Sequence, residues 1–304
     1  MTPRQASTAN CPSCDSDRRK LLGPIPAAVE FAGTPVDPIP GGQLWQCLGC
    51  SLWYRAPSLS KAQLDKLYDT GTAEAWETPL EERVDWSLAK SALPESGKIL
   101  DLGCYDGRFL ESIGERWDRY GIEVNRAAAT RAGESGVKIV GHDFTALADN
   151  PASFDAITAF DIFEHVSDPL ALLHACSESL RPGGKLIVAT GNTDSFPFRL
   201  LKSRNAYCIC AEHLVFLNPS WCDAAAGKTG LIVESIVRYR RATGGPARRA
   251  LDSLKNVLFI AAPWLISSLR RIRGKVSHEE KLGYPVLWPT AMDHFLVQFT
   301  RETE

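Results

Sequence analysis

Four of the nine cysteines stand in two Cys-x-x-Cys pairs near the amino terminus, and they are the first candidates for metal chemistry. Each such turn holds two thiolates on one tight loop, and four thiolates complete the tetrahedral shell of Zn²⁺ without an open position. The pairs therefore predict structural zinc in a zinc-ribbon-like module over residues 1–60. Because the segment between them is longer than is common in zinc ribbons, a redox-active or free-thiol segment is the alternative. The pairs are Cys11/Cys14 and Cys47/Cys50.

A second group of reactive side chains lies in AFDIFEHVSDP, after an apolar run. An imidazole accepts protons near neutral pH, so His165 is a candidate base, with Glu164 beside it as a second catalytic candidate. If a helical turn begins here, Asp161, Glu164 and His165 share one face and could hold a divalent cation. Hydrogen bonding within the loop is the structural alternative for Glu164 and His165. Farther along, His213 in AEHLVFL either faces the substrate or lies on a surface loop.

The elements that must position these residues follow from hydrophobic patterning. From residue 98 onward, strand-like apolar runs alternate with helical patterns over 107–117, 125–135 and 169–180, which predicts a doubly wound α/β domain with a parallel sheet. Ligands bind at the carboxyl ends of the strands in such sheets. The predicted strands of this part are KILDLG, RYGIEV, VKIVG, FDAITAF and GGKLIVAT.

Two further strands, LIVESIVRYR and HFLVQFTR, bring the predicted total to seven and are expected to pair antiparallel at the sheet edge. The main domain is predicted over residues 98–304. Residues 61–97 have helical spacing and are predicted to connect it to the cysteine module. Residues 241–290 are predicted as an amphipathic helical insert before the last strand.

The loop after the first strand of this domain, DLGCYDG, excludes two kinds of nucleotide site. A dinucleotide fingerprint starting at Gly103 requires glycine where Tyr105 and Arg108 stand. A phosphate-binding Walker loop requires a Gly-Lys-Ser/Thr sequence that does not follow. The ligand is therefore expected to lack a pyrophosphate that must approach the backbone closely.

DLGCYDG resembles the first motif of class I S-adenosylmethionine-dependent methyltransferases, which commonly have glycine at the place of Tyr105. The resemblance extends over about 140 residues and implies a Rossmann-like seven-stranded sheet. It implies that Glu123, at the end of YGIEV, accepts hydrogen bonds from the cofactor ribose. It also implies that Asp143 in GHDF binds the adenine amine, with Phe144 stacked beside the ring. The cofactor-binding residues expected from it are Asp101, Gly103, Cys104, Tyr105, Gly107, Glu123, Val124, Asp143, Phe144 and Phe160.

Within that class the sequence is most similar to ubiquinone-biosynthesis O-methyltransferases, which carry an acidic residue, two spacers and Glu-His after the fourth strand. Those enzymes use a divalent metal, so the resemblance implies Mg²⁺ at Asp161, Glu164 and His165. The predicted function is methyl transfer to a small or lipid-linked metabolite, such as a quinone, sugar or polysaccharide precursor. A zinc-containing RNA methyltransferase and a non-catalytic S-adenosylmethionine-binding scaffold are the alternatives.

Composition and charge limit the partners. A net charge of −2 and a pI near 6.3 argue against a surface built to neutralise phosphates, so nucleic acid is not the expected partner. The amino terminus lacks the apolar run of a secretory signal, which predicts a cytoplasmic protein. In residues 246–276, basic side chains flank an apolar run that is too short to span a bilayer. This segment is predicted either to contact a membrane surface on the cytoplasmic face or to form a lid over the active site.

Overall fold

The computed structural model describes residues 10–31, 34–70, 83–241, 245–262, 264, 268 and 291–303. Short strands make up most of the amino-terminal part. They are β1 (Arg19–Ile25), β2 (Ala28–Phe31), β3 (Thr34–Ile39), β4 (Gly42–Cys47) and β5 (Trp53–Ala56).

Longer buried strands alternate with helices in the rest of the chain, as the hydrophobic pattern predicts. The strands are β6 (Gly97–Leu102), β7 (Trp117–Ile122), β8 (Lys138–Gly141), β9 (Phe154–Phe160), β10 (Leu180–Gly191), β11 (Val215–Phe216), β12 (Leu231–Tyr239) and β13 (His294–Arg301). The helices are α1 (Lys61–Thr70), α2 (Val84–Ala92), α3 (Arg108–Ser112), α4 (Arg126–Glu134), α5 (Pro169–Ser179), α6 (Phe196–Leu201), α7 (Ala206–Ile209), α8 (Pro219–Ala226) and α9 (Pro246–Ala261).

A seven-stranded sheet with the order β12-β13-β10-β9-β6-β7-β8 forms the main layer. Strands β8, β7, β6, β9 and β10 are parallel neighbours, whereas β13 runs antiparallel to β10 and β12. The central strands are apolar on both faces because helices cover both sides, and Ile157 and Ala189 are fully buried. The predicted doubly wound α/β fold with an antiparallel edge pair is confirmed.

Helix α5 begins where the sequence predicts. The Asp168 side chain accepts a hydrogen bond from the Ala171 N–H at 2.9 Å, and Pro169 occupies the first turn. A capping carboxylate satisfies an N–H that the helix itself cannot pair, and proline fits the first turn because its missing N–H is not needed there. This start fixes the end of the loop that carries Glu164 and His165.

The amino-terminal sheet is completed by a strand from the main domain. Its order is β1-β4-β5-β11, and Val215 and Phe216 of β11 lie opposite Tyr54 and Trp53 of β5. The Trp221 indole N–H also donates to the Ser13 hydroxyl at 2.8 Å. The cysteine module and the loop after α7 are therefore parts of one hydrogen-bonded structure.

Helix α9 lies in the predicted insert and exposes apolar side chains along its length. Leu251, Leu254, Val257 and Leu258 are each 40–55% exposed. Residues 263–290 of the predicted insert, apart from 264 and 268, lie outside the described residues. Residues 71–82 of the predicted connector also lie outside them. No helix in the described part of the chain is both long and apolar enough to cross a membrane.

We predict that Asn218→Ala destabilises the protein by about 2–4 kcal/mol, because it removes a helix cap and the hydrogen bond to a partly buried carbonyl. Asn218 is buried; its amide N–H₂ donates to the Ser51 carbonyl and the Thr193 hydroxyl at 3.0 Å each. Its side-chain oxygen accepts from the Trp221 N–H at 2.8 Å. Denaturant unfolding measures the change.

Ser195→Ala is the matched control. Ser195 precedes α6 without a side-chain capping bond, and its buried hydroxyl has no partner among the described residues. Its removal breaks no hydrogen bond and takes an unpaired polar group out of the interior, so the free energy of unfolding is expected not to fall. Equal effects of the two substitutions would contradict the role given to Asn218.

Candidate active site

A cavity of about 800 Å³ opens at the carboxyl ends of β6, β7, β8 and β9, where a doubly wound sheet binds ligands. Helices α1 and α2 and the loop after α7 close its other sides. Of the predicted cofactor and catalytic residues, all line this cavity except Gly107. The structure therefore brings these residues together at one cavity, and their roles stay predictions.

Two glycines of the loop after β6 have left-handed backbone conformations. Gly103 has φ +69°, and a Cβ there would overlap the Ile162 side chain. Gly107 has φ +84° and begins α3, with its carbonyl accepting the Glu111 N–H at 2.9 Å. Gly107 thus shapes the loop from beneath and does not line the cavity.

Tyr105, the unusual residue of this loop, contributes its backbone to the site. It has φ +48°, and its N–H donates to Glu123 Oε2 at 2.8 Å. The guanidinium groups of Arg131 and Arg108 lie 5.6 Å and 6.0 Å from its ring centroid. Cation–π attraction of this kind holds the ring against α4.

Glu123 is a buried carboxylate at the end of β7. Its Oε1 accepts the Asn125 N–H at 2.8 Å, and its Oε2 accepts the Tyr105 N–H. Burial raises the pKa of Glu123, whereas these backbone donors act in the opposite direction. A carboxylate has about four lone-pair sites, so both oxygens can still accept hydroxyl groups from a ligand.

The wall beyond β8 combines one carboxylate with apolar side chains. Asp143 Oδ1 accepts the Thr145 N–H at 2.9 Å and the Thr145 hydroxyl, and these bonds lower the pKa of Asp143. Val124 and Phe144 line the cavity with partly exposed side chains. Both apolar surfaces are accessible to a ligand in the cavity.

The floor of the site is formed by Asp101, Cys104 and Phe160. The Thr158 hydroxyl donates to Asp101 Oδ1 at 2.6 Å, but burial still raises the pKa of Asp101 to about 7. Burial likewise raises the pKa of the Cys104 thiol. The Phe160 ring packs on Phe109 with centroids 4.7 Å apart. These side chains support the loop above them.

Of the three predicted cation ligands, Glu164 and His165 lie close together, but Asp161 does not join them. Asp161 has φ +55° and forms an ion pair with Arg241 at 2.9 Å. Because of that left-handed residue, the helical turn starts only at Phe163, so Asp161 does not share the face of Glu164 and His165. Burial tends to raise the pKa of Asp161, but Arg241 and other nearby cationic groups lower it overall.

Glu164 is fully buried and accepts a hydrogen bond from the Tyr207 hydroxyl on Oε1 and from the Thr190 hydroxyl on Oε2. Burial raises the pKa of Glu164, and the nearby Asp161 adds to the effect. The groups that approach one another within 4.8 Å are instead Glu164, His165 and His213. Mg²⁺ prefers oxygen ligands in octahedral geometry, so this set does not fit it.

Two imidazoles face the same region. His165 Nδ1 lies 2.9 Å from the Tyr68 hydroxyl, and burial lowers the pKa of His165. His213 is buried, not on the surface, and lies with its ring centroid 4.9 Å from that of His165. Burial first, and His165 second, lower the pKa of His213 to about 4.

Several lining residues were not predicted as site residues. Tyr68 and Trp86 come from α1 and α2, Tyr207 from α7, Arg241 from the start of the insert and His294 from the start of β13. The sequence carries a signal only for Tyr68 and Trp86, which are aromatic residues in the segment predicted as a connector. Their place in the site depends on the tertiary packing of those segments.

The four paired cysteines converge away from this cavity. The Cys11 and Cys50 sulfurs are 3.5 Å apart, as are those of Cys14 and Cys47, and all four lie within 4.8 Å of one another. Tetrahedral zinc with bonds of about 2.3 Å requires sulfurs roughly 3.8 Å apart. The N–H groups of Gly49 and Cys50 donate to Cys47 Sγ at 3.2 Å and 3.4 Å. The geometry and donor set fit zinc.

Known proteins match both the sequence and the fold. A family model described as a methyltransferase domain matches residues 74–236, more than half of the chain. The ubiquinone biosynthesis O-methyltransferase of Xanthomonas campestris pv. campestris is 35% identical over 130 residues, which are 39% of this chain and 52% of that protein. Its namesake in Xylella fastidiosa is 31% identical over 175 residues, 52% of this chain and 70% of that protein.

The chain thus spans about half the length of the first curated relatives it matches. A chain in the solved complex of the Haloferax volcanii Trm112 methyltransferase activator with a methyltransferase has a TM-score of 0.51 and 14% identity. That match covers 80% of this chain and 98% of the other, and it shows the fold. This protein therefore belongs to the methyltransferase-domain family.

Proposed function

We propose that the protein transfers a methyl group from S-adenosylmethionine to a small or lipid-linked metabolite, such as a quinone, sugar or polysaccharide precursor. When bound, the cofactor supplies a methyl group on a positively charged sulfur. The observation that carries the proposal is Glu123: a buried carboxylate at the end of β7, fixed by the Tyr105 N–H of the glycine loop, with lone pairs left for two ribose hydroxyls. The curated O-methyltransferase relatives support the same class of reaction.

Each predicted cofactor residue has a place in this proposal. The ribose binds Glu123, the adenine lies between Val124 and Phe144, and Asp143 accepts a hydrogen bond from the adenine amine. The turn at Gly103, supported from below by Asp101 and Gly107, leaves room for the amino-acid part. Cys104, Tyr105 and Phe160 complete that wall.

The charges of the cavity wall favour an uncharged methyl-accepting group over RNA. Every arginine or lysine that lines it in the described chain has a carboxylate partner within 4.0 Å, so none is left to neutralise a phosphate. Aromatic side chains supply much of the remaining wall. The ion pairs are Lys61–Asp143, Arg83–Asp85, Arg108–Asp106 and Arg241–Asp161.

We predict that the purified protein transfers a trideuterated methyl group from labelled S-adenosylmethionine to a component of a metabolite and lipid extract. The extract comes from source cells that lack the active protein, and mass spectrometry identifies the labelled product.

Glu123→Gln is expected to weaken cofactor binding about 10- to 150-fold, the effect of losing hydrogen bonds to a charged acceptor. Calorimetry measures the affinity.

Glu134→Gln is the matched control, because Glu134 is an exposed carboxylate at the end of α4 and does not line the cavity. Its affinity for the cofactor is expected to equal that of the wild type. Cofactor binding without any labelled product would favour the non-catalytic scaffold. Absence of binding at millimolar cofactor would refute the proposal altogether.

We also propose that Cys11, Cys14, Cys47 and Cys50 hold one structural Zn²⁺. Four converging thiolates with backbone N–H donors support this assignment. Ser51 links the second cysteine turn to Asn218, since the Ser51 hydroxyl donates to the Asn218 side-chain oxygen at 3.0 Å. The ion would therefore stabilise the strand pairing that carries the loop after α7.

We predict that the purified protein contains one zinc ion per chain and that Cys47→Ser loses most of it, because a hydroxyl is a far weaker zinc ligand than a thiolate. Metal analysis after dialysis measures the content. Cys210→Ser is the control, since Cys210 lies by the cavity and is not one of the four converging cysteines. Zinc retained by Cys47→Ser would show that the ion is held elsewhere.

We further propose that α9 lies in the surface of an anionic bilayer. Leu251, Leu254 and Leu258 recur at helical spacing and are 40–55% exposed, so they form one apolar face. Seven basic side chains against one acidic in residues 247–275 suit anionic headgroups. A lipid-linked acceptor would then be reached at the membrane.

We predict that the protein floats with phosphatidylglycerol vesicles and that Leu254→Glu abolishes flotation, because a charge on the apolar face opposes insertion. Ala247→Glu, at the start of the same helix, adds the same charge and is expected to retain most of the flotation. If deletion of residues 246–276 leaves flotation unchanged but lowers methyl transfer, the segment is a lid and not a membrane contact.

A further inference from the structure

We propose that His213 is the catalytic base that takes the proton from an acceptor hydroxyl, a role that rests on the proposed methyl transfer. The sequence predicts His165 for this role. The hydrogen bonds of the two rings distinguish them, and they favour His213.

The tautomer of His213 is fixed by the backbone. Its Nδ1 lies 2.8 Å from the carbonyl oxygen of Tyr207, and a carbonyl oxygen only accepts hydrogen bonds. Nδ1 therefore carries the hydrogen in the neutral ring, and the lone pair lies on Nε2. His213 lines the cavity, is only 8% exposed and has its ring centroid 4.9 Å from that of His165. Nε2 is therefore the nitrogen of this ring that is left to accept a proton from a molecule in the cavity.

His165 is engaged differently. Its Nδ1 pairs with the Tyr68 hydroxyl at 2.9 Å. Burial lowers the pKa of His165, whereas the nearby acidic residues Glu212 and Asp161 raise it. The ring thus joins α1 to the loop after β9. This makes His165 a positioning residue, with its edge against His213.

Glu164 supplies the negative charge that stabilises the imidazolium formed when His213 takes up a proton. Gly191 N–H donates to the Tyr207 hydroxyl at 3.1 Å, so that hydroxyl directs its own hydrogen to Glu164. The Glu164 carboxylate and the His213 ring approach within 4.8 Å and attract one another when both are charged. Accordingly, Glu164 raises the pKa of His213, although burial dominates and leaves it at about 4. The imidazolium that forms on His213 is stabilised without an ion pair in the resting site.

The acceptor oxygen forms a bond to the methyl carbon while the carbon–sulfur bond breaks and its electron pair stays on sulfur. The hydroxyl proton moves to Nε2 of His213 and then to solvent. As the oxygen gives electron density to the methyl carbon, its proton becomes strongly acidic, so a neutral imidazole of low basicity suffices. What the reaction requires of His213 is an unprotonated, correctly directed nitrogen.

The test uses the full chain, trideuterated S-adenosylmethionine and the same cell extract as the acceptor source. In His213→Asn the side-chain amide can still donate to the Tyr207 carbonyl, while the basic nitrogen is removed. We expect the labelling rate to fall about 10²- to 10⁴-fold, the usual contribution of a general base. Cofactor affinity by calorimetry is expected to stay within about twofold of the wild type, and added imidazole is expected to restore part of the rate.

His165→Asn and His174→Asn are the comparison variants. The fold-decrease in labelling rate caused by His165→Asn is expected to be at least ten times smaller than that caused by His213→Asn. Substitution of the surface residue His174 is expected to leave the rate unchanged. An effect of His165→Asn equal to or larger than that of His213→Asn overturns the assignment. If the wild type labels nothing, the proposed methyl transfer fails and the base fails with it.

A measurement on the wild type covers the case in which a variant does not fold. In ¹⁵N-correlated NMR spectra of the histidine rings, His213 is expected to be neutral at pH 7 and protonated on Nδ1. A ring protonated on Nε2, or a charged ring at that pH, overturns the proposal without reference to turnover.

Discussion

The hydrogen bonding of one buried carboxylate, Glu164, holds together the part of the cavity around Glu164, His165 and His213, which is the side proposed for the acceptor and is called the acceptor side below. An anion without solvent is stable only if hydrogen-bond donors surround it. Here the donors are the hydroxyls of Thr190 on β10 and Tyr207 on α7, and the Glu164 carbonyl accepts the Leu214 N–H at 2.7 Å. Satisfying one residue therefore brings together a central strand, a short helix and the chain leading into β11. His213 lies in the segment leading into β11, next to Leu214, so the same hydrogen bonds fix its position.

The side of the cavity proposed for the cofactor, around Gly103, Glu123 and Asp143, is positioned by strand ends. It could be predicted from the sequence to a greater extent. Strand ends of a parallel sheet meet at one edge, so a recognised strand is enough to place the residue after it. This is why Glu123, Asp143 and the turn at Gly103 line one cavity as expected. Gly107 was predicted to touch the ligand but supports the loop from below, a distinction that depends on which way the turn closes.

The acceptor side could not be predicted in the same way. The expected face of Asp161, Glu164 and His165 assumes right-handed helical geometry from the first residue, and the left-handed backbone of Asp161 removes it. Arg241 then pairs with Asp161 from eighty residues away in the sequence. Likewise, no periodicity in the sequence shows that Tyr68 reaches His165. Contacts between distant segments decide this half of the site, whereas patterns within segments decide the other.

The shared strand β11 has a consequence for how the chain can be divided. A shortened protein beginning at residue 61 would keep the glycine loop and every strand of the large sheet, yet it would leave the backbone of Val215 and Phe216 unpaired. It would also lose Arg55, whose backbone N–H binds the Leu214 carbonyl and whose guanidinium binds the Ala211 carbonyl. An open apolar edge of this kind recruits other chains. The cysteine-bearing segment is thus part of the architecture of the methyltransferase domain, and we expect the smallest foldable unit to include both.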